Sequence, residues 1–378
     1  MEEKIINVAI VGAGNCASSL YQGLHYYSKN NGEINGLMRE NIGGYLIDNI
    51  KIVAVFDVDK RKIGKAFKTA LQSPPNCTPF YYKDLEDGPI VNMGKMIDSI
   101  SPIMQEYHEE EAFRAANMEC CDVVSILKKT KTDILINYLP VGSQKTTEFY
   151  ANACLESGVC FLNCIPVFIA SNPEWEKKFI NANLALIGDD MKSQFGASII
   201  SQMFQELAIS RGHKVKCHIQ RNIGGNTDFL NMTDKERIKS KKESKENVLK
   251  FPSLLNNKNN KNNNDTYYHA GPSEYIKYYK DNKVANFHLE LEGFMGAPVI
   301  LDAQLSVMDS PNSAGVVIDA IRYLKVAHEM GIVGSIKGPS AFTQKTPPSQ
   351  MSLNEAEFEC NELSNRRLTN LTRCQCKN

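Results

Sequence analysis

The sequence predicts an α/β protein built on a doubly wound parallel sheet. Three observations carry that expectation. An apolar, β-rich run at residues 5–11 passes through a glycine turn into a helical stretch at 18–27. Apolar runs of strand length recur at 50–56, 132–139, 159–164 and 184–187. Helical patterns at 109–129, 146–158 and 175–181 fall between them. Strands that alternate with helices form parallel sheets, because each crossover helix carries the chain back to start the next strand at the same end.

The glycine turn reads Gly12-Ala13-Gly14-Asn15-Cys16-Ala17, the G-x-G-x-x-A form of the dinucleotide fingerprint. Gly12 allows the tight turn, Gly14 lets a pyrophosphate approach the backbone, and the small Ala17 lets helix pack on strand. Asn15 and Cys16 lie in the turn before the helix, whose unpaired N–H groups favour phosphate. The expected fold is therefore Rossmann-type. The second strand runs into Asp57-Val58-Asp59. A carboxylate at that strand end accepts from a ribose diol and repels the extra phosphate of NADP, so NAD is the expected cofactor with Asp57 on the ribose. The separation from Gly14 exceeds the usual spacing of about 20 residues, and a polar insertion at 30–49 accounts for it. The competing reading has Asp57 only capping a helix that begins near Lys60.

Residues 73–98, rich in Pro, Gly, Asn and Asp, read as a long surface loop. The third strand closes in Pro140-Val141-Gly142-Ser143, Gly158 suits the C-cap of the next helix, and the fourth strand ends in Asn163-Cys164-Ile165-Pro166. After the fifth strand comes Gly188-Asp189-Asp190-Met191-Lys192-Ser193-Gln194-Phe195-Gly196, then a helix to about Arg211. Ser193 suits that helix's N-cap, and its hydroxyl with the N–H groups after it suits a phosphate equally well. Turn chemistry would also account for Asp189 and Asp190.

Residues 222–245 join a glycine turn (Gly224, Gly225) to a lysine-rich helix. Thr233 and Glu236 have capping-box spacing, and Lys241 and Lys245 stand one turn apart on one face. Such a pair is either a solvated face or a grip on an anion in which each ammonium lowers the other's proton affinity. The asparagine run at 256–265 is expected to be a disordered insertion. Residues 284–294 alternate apolar and polar, which predicts a strand of an antiparallel sheet with one wet face, and 299–307 its neighbour. Lys283 stands just before the first. A turn at 309–312 leads to a helix at 313–330 closed by Gly331. Lys345 sits in a proline-stiffened loop at 343–348, and the chain from 352 on reads as a loose polar tail.

The 378 residues suffice for two domains. Lys+Arg and Asp+Glu both total 43, so no global field favours nucleic acid or an acidic membrane, and any basic site must be local. Eleven cysteines are scattered without C-x-x-C spacing. With no secretory signal before the first strand they read as reduced cytoplasmic thiols, and no metal-ligand set stands out. No apolar run approaches a membrane span.

Several blocks together resemble one family, in its order and across roughly 5–349. They are GAGNCASSLYQGLHYY, VAVFDVDKRKIG, INYLPVGS, FLNCIPVFIAS, IGDDMKSQ, NIGGNTDFLNM, SKKESK and DSPNSAGVVIDAIR with its trailing QKTPP. The chain thus resembles the inositol-3-phosphate synthases, in their shorter prokaryotic-type branch. The resemblance implies conversion of glucose 6-phosphate to 1D-myo-inositol 3-phosphate, the first step of inositol biosynthesis, with NAD bound throughout and regenerated. It implies four catalytic lysines, Lys241, Lys245, Lys283 and Lys345. Asp190, Asp309 and Ser310 match the nicotinamide end of the cofactor site, and Lys192, Ser193 and Gln194 the substrate phosphate. It implies a Rossmann-type domain at 1–190 completed by 309–351, an inserted α+β catalytic and oligomerisation domain at 191–308, and a homotetramer. Two other readings of the same residues are an ordinary NAD-dependent sugar-phosphate dehydrogenase and an NAD-binding sensor without turnover.

Overall fold

The computed structural model describes residues 4–30, 34–234, 237, 243, 249–250 and 266–370. Six strands come first: β1 (Ile6–Val11), β2 (Ile50–Asp57), β3 (Val91–Met93), β4 (Ile134–Asn137), β5 (Cys160–Asn163) and β6 (Ala185–Ile187). Four more follow, β7 (Lys214–Gly224), β8 (Tyr267–Tyr275), β9 (Asn282–Glu292) and β10 (Pro298–Met308), and then the short β11 (Gly334–Ser335). The first six and β11 form one sheet in the order β11-β6-β5-β4-β1-β2-β3, every neighbouring pair parallel. Strand order reverses between β1 and β4, and the carboxyl ends of the strands at such a switch point are where these sheets take ligands. Ile6, Val8, Ala9, Ile10 and Val11 are all buried. β1 is therefore covered on both faces, as an unbroken apolar strand in a parallel sheet should be.

The helices between are α1 (Asn15–Lys29), α2 (Phe67–Leu71), α3 (Val123–Lys129), α4 (Gln144–Ser157), α5 (Pro173–Asn181) and α6 (Ala197–Ser210). Gly158 takes the left-handed C-cap of α4 that its sequence context predicts. After the short α7 (Thr227–Asn231) and strands β8 to β10 comes α8 (Asp309–Glu329), which packs beside α1 and over β4, β5 and β6. The chain ends through α9 (Lys337–Thr343) and α10 (Leu353–Ser364).

The second sheet has the order β10-β9-β7-β8, antiparallel except for β7 with β8. The alternation read from the sequence holds. Ala285, Phe287 and Leu289 are buried against Ala197, Ile200 and Phe204, while His288, Glu290 and Glu292 stand on the wetter face. Each large apolar side chain so buried stabilises by roughly 1.5–3 kcal/mol.

Several expectations need correction. Within 109–129 only Val123–Lys129 is helical. Residues 114–116 are drawn instead onto the end of β2, where Lys60 N donates to Arg114 O at 2.8 Å, Ala116 N to Val58 O at 2.8 Å and Arg114 N to Asp59 Oδ2 at 3.0 Å. The 73–98 segment is more than a surface loop, since it contributes β3 to the sheet edge and buries Thr78 and Leu85. The 309–312 turn is the first turn of α8. The tail is not loose from 352: Ser352 and Glu355 form a capping box, and α10 buries Ala356, Cys360 and Leu363. Glu236, Lys241, Lys245, the asparagine run, Cys374 and Cys376 lie outside the described residues. Thr233 is described, and its hydroxyl donates to Leu230 O at 2.7 Å.

Candidate active site

The glycine turn is held from several sides. Gly12 N donates to Phe56 O at 2.8 Å, and Gly12 has φ +99°. A Cβ there would lie 2.6 Å from Tyr138 O, so both conformation and space demand glycine. Gly14 differs: its backbone is extended, it is the N-cap residue of α1, and a Cβ on it would meet nothing within 4 Å. No side chain caps α1. Its first N–H groups and the open space at Gly14 therefore suit an anion. Asp57 is buried, with Oδ2 accepting from Ala13 N at 2.7 Å and Oδ1 from Val58 N and Asp59 N at 2.7 and 2.8 Å. No α-helix starts at Lys60, so the capping alternative for Asp57 falls.

One cleft at the carboxyl ends of β1 and β4 is lined by Gly12, Gly14, Asn15, Cys16, Asp57, Asp190, Ser193, Lys283, Asp309, Ser310 and Lys345. These residues span almost the whole chain, and backbone ladders bring them together. Residues 343–346 run alongside 189–192. Asp189 N donates to Thr346 O, Lys345 N to Asp190 O and Lys192 N to Thr343 O, at 2.9, 2.7 and 2.8 Å. That ladder sets Lys345 Nζ 2.9 Å from Asp190 Oδ1 and 2.7 Å from Met191 O. Asp190 has φ +61°, a left-handed conformation that Asp tolerates better than most residues. Asp189 has a different task. Its carboxylate accepts from Asn163 Nδ2, from the N–H groups of Ile169, Ala170 and Ser171, and from Ser171 Oγ. It ties the loop after β5, whereas Asp190 faces the cleft and pairs with Lys345.

The opposite wall comes from β9 and α8. Lys283 makes an ion pair with Asp309. Behind them lies the buried Asp281, whose Oδ1 accepts from Ser310 Oγ at 2.7 Å and from Asn226 Nδ2 at 3.2 Å. Burial and the neighbouring Asp309 raise the Asp281 carboxyl above its ordinary value. Burial, with the same two carboxylates, pushes the Cys16 thiol up to about 12, so it stays neutral near pH 7.

Lys192 and Gln194 do not line the cleft. Lys192 is buried and its Nζ donates to Ala341 O at 2.7 Å. Burial, and then the charge of Lys345, lowers it to about 8. Gln194 N donates to Asn312 O at 2.7 Å. Ser193 lines the cleft but is not the N-cap of α6; Gly196 is.

Two sets of polar contacts are not evident from the sequence. Asn137, Asn163 and Asp189 form a buried row across the ends of β4 and β5 and the turn after β6, with Asn137 Nδ2 to Asn163 Oδ1 at 2.8 Å and Asn163 Nδ2 to Asp189 Oδ1 at 2.7 Å. Gln220 and Asn222 of β7 also line the cleft, linked by a 3.1 Å hydrogen bond, and Gln220 accepts from Ser201 Oγ. The asparagines' signal was their shared position at strand ends. Among the described residues, no group of three or more His, Cys, Asp or Glu side chains is arranged to hold a metal ion.

The chain is 40% identical over 356 residues to the inositol-3-phosphate synthase of Mycolicibacterium smegmatis, covering 94% of this chain and 96% of that one. It belongs to the inositol-3-phosphate synthase family. The corresponding synthase of Corynebacterium glutamicum is also 40% identical, with 93% and 96% covered. A family profile described as myo-inositol-1-phosphate synthase matches residues 196–310, from the start of α6 to the start of α8. The solved structure of a myo-inositol-1-phosphate synthase-related protein from Thermotoga maritima covers 97% of this chain and 100% of its own. Its TM-score is 0.77, and at 24% identity the likeness is one of fold. The blocks that suggested the family thus belong to a similarity running along nearly the whole chain, and the protein is an enzyme of this family.

Proposed function

We propose that this enzyme converts D-glucose 6-phosphate to 1D-myo-inositol 3-phosphate, with NAD kept bound and regenerated. The observation that carries the reading is one cleft joining a dinucleotide fingerprint to two lysine–aspartate pairs, Lys345 with Asp190 and Lys283 with Asp309. The open space at Gly14, the uncapped start of α1 and Asp57 at the end of β2 fit the pyrophosphate and adenosine ribose of NAD. Asp190, Asp309 and Ser310 would meet its nicotinamide end, with Asn15 and Cys16 beside the phosphates. The cofactor would supply hydride acceptance at carbon 5 and its later return.

The side chains do the rest. Asp190 and Asp309 orient Lys345 and Lys283 toward the cleft. Fixed ammonium groups stabilise the enolate and alkoxide charge of enolisation and aldol closure onto the carbon 1 aldehyde. In this assignment Lys345 and Lys241 serve the oxygens that are oxidised or become alkoxides, and Lys283 and Lys245 serve the phosphate and the enolate. Ser193 and Gln194 would meet the substrate phosphate. Lys192 would join them only by giving up Ala341 O.

The proposal includes a nucleotide-binding unit of 1–190 completed by 309–351, and a catalytic unit of 191–308. It includes a cytoplasmic homotetramer. Edge strand β10 supports association: it leaves Val299, Ile300 and Leu301 exposed, and among the described residues one side of it has no neighbour in its sheet. The test is a turnover assay with purified protein, NAD and glucose 6-phosphate. Inositol phosphate should form while NADH does not build up. Stoichiometric NADH without a cyclised product would identify a dehydrogenase instead.

A further inference from the structure

We propose that Lys62 is a positioning residue for the cofactor, acting through the Ala13 peptide of the glycine turn. The inference rests on the NAD reading above. Lys62 is fully buried, in the turn that follows β2. Its Nζ donates to Ala13 O at 2.8 Å and to Asn76 Oδ1 at 2.9 Å, and Asn76 Nδ2 donates to the same Ala13 O at 3.0 Å. On the other side of the residue, Ala13 N donates to Asp57 Oδ2 at 2.7 Å. Ala13 is thus clamped between a carboxylate on its N–H and an ammonium on its carbonyl. It sits between Gly12, which makes the turn, and Gly14, which opens the space for a phosphate.

A neutral side chain would satisfy that carbonyl, since Asn76 already reaches it. Burying an ammonium is costly, and its proton affinity falls accordingly. Asp57 and Asp59 offset the cost, while Arg61 is engaged with Asp59 and the Ala112 carbonyl. The Phe113 ring lies 6.0 Å from Nζ. What the ammonium adds is a fixed positive charge behind the turn that a dianionic pyrophosphate must approach, in a region too dry to screen it. Asn76 carries a second consequence. The segment it belongs to is strapped to α1 by Cys77 N and Thr78 N, which donate to Asn15 Oδ1 at 2.8 and 3.1 Å. The polar stretch that resembled a surface loop therefore braces the fingerprint.

The test compares wild type, Lys62→Met and Asn76→Ala by calorimetric titration with NAD, and by competition with ADP-ribose and with adenosine. Lys62→Met should weaken NAD and ADP-ribose alike by at least about tenfold, the effect of losing a hydrogen bond from a charged group. Adenosine would still meet Asp57, which holds Ala13 N, but it has no phosphate to feel the charge, so it should weaken by no more than about threefold. Asn76→Ala, which keeps the charge, should weaken NAD by only about threefold. If Lys62→Met binds NAD as wild type does, or if adenosine weakens as much as ADP-ribose, the proposal is overturned. Should Lys62→Met fail to fold, an Asn76→Ala loss shared by adenosine overturns it equally. A wild-type protein that takes no NAD would instead sink the cofactor reading.

Discussion

Gly12 and Gly14, two positions apart in the turn, should respond oppositely to the same methyl group. Gly12→Ala forces a left-handed backbone on alanine, at about 1–2 kcal/mol. It also drives a Cβ to 2.6 Å from Tyr138 O and 2.9 Å from Tyr138 C, both backbone atoms that cannot step aside. Together these should cost about 3 kcal/mol of stability, with the fingerprint turn displaced. Gly14→Ala meets nothing within 4 Å and keeps an extended backbone that alanine adopts. Losing glycine at an N-cap costs up to about 1 kcal/mol, and stiffening the unfolded chain returns about as much, so stability should barely move. Its methyl nevertheless fills the space proposed for the pyrophosphate, and NAD affinity should fall by about a hundredfold or more. Urea denaturation of the ligand-free proteins reads the first quantity and NAD titration the second. Gly14→Ala binding NAD like wild type, with its fold intact, would refute the account of the turn.

Further outcomes are expected. Lys345→Met should lose about 10²–10³-fold in kcat, the effect of removing one donor to developing oxyanion charge, while still binding NAD. Its unfolding free energy, read by urea denaturation, should also fall by about 3 kcal/mol, because the Asp190 side chain is only 1% exposed and loses the ammonium beside it. Activity within tenfold of wild type would contradict the role given to Lys345. Lys192 predicts a pH dependence. Its folded value near 8 lies below the ordinary 10.5, so between these values the unfolded chain holds more protons and stability rises with pH. The penalty of the buried charge is full below pH 8. Urea denaturation should therefore show wild type gaining on Lys192→Met by on the order of 2–4 kcal/mol between pH 7.5 and 10.5, and parallel profiles would count against it. Ser352→Ala should cost about 1 kcal/mol and lower Tm by a few degrees through loss of the α10 cap.

What could be read from sequence was local chemistry. Strand β1, the glycine turn and α1 announced themselves because a parallel strand is apolar throughout and the turn needs particular residues. β9 was legible by alternation, and β10 as the apolar run beside it. β7 was not, and the reason is physical. Its buried positions are largely polar: His218, Gln220 and Asn222 face α6 and the cleft, where Gln205, Ser201 and Gly271 O pair with them. A strand with a polar buried face has no hydrophobic period to detect. Residues 109–118 failed in the opposite sense. Their composition favours a helix, but Asp59 and its backbone neighbours claim the amides and carbonyls that a helix would use. α10 was legible in principle, through the Ser352–Glu355 box and the spacing of Ala356, Cys360 and Leu363, and composition masked it. In the site, Asp57, Asp190, Asp309 and Lys345 were each named from residue type and block. Their partners were not, because the meeting of Lys345 with Asp190 depends on a ladder between segments 155 residues apart.

The central claim is that hydride leaves carbon 5 and returns to it within one binding event. Glucose 6-phosphate labelled with deuterium at carbon 5 tests this directly when turned over in the presence of excess unlabelled NAD. Inositol phosphate that keeps the deuterium at the original carbon, with none in the free NADH pool, is the predicted result. Product stripped of the label, or label accumulating in free NADH, would contradict the account.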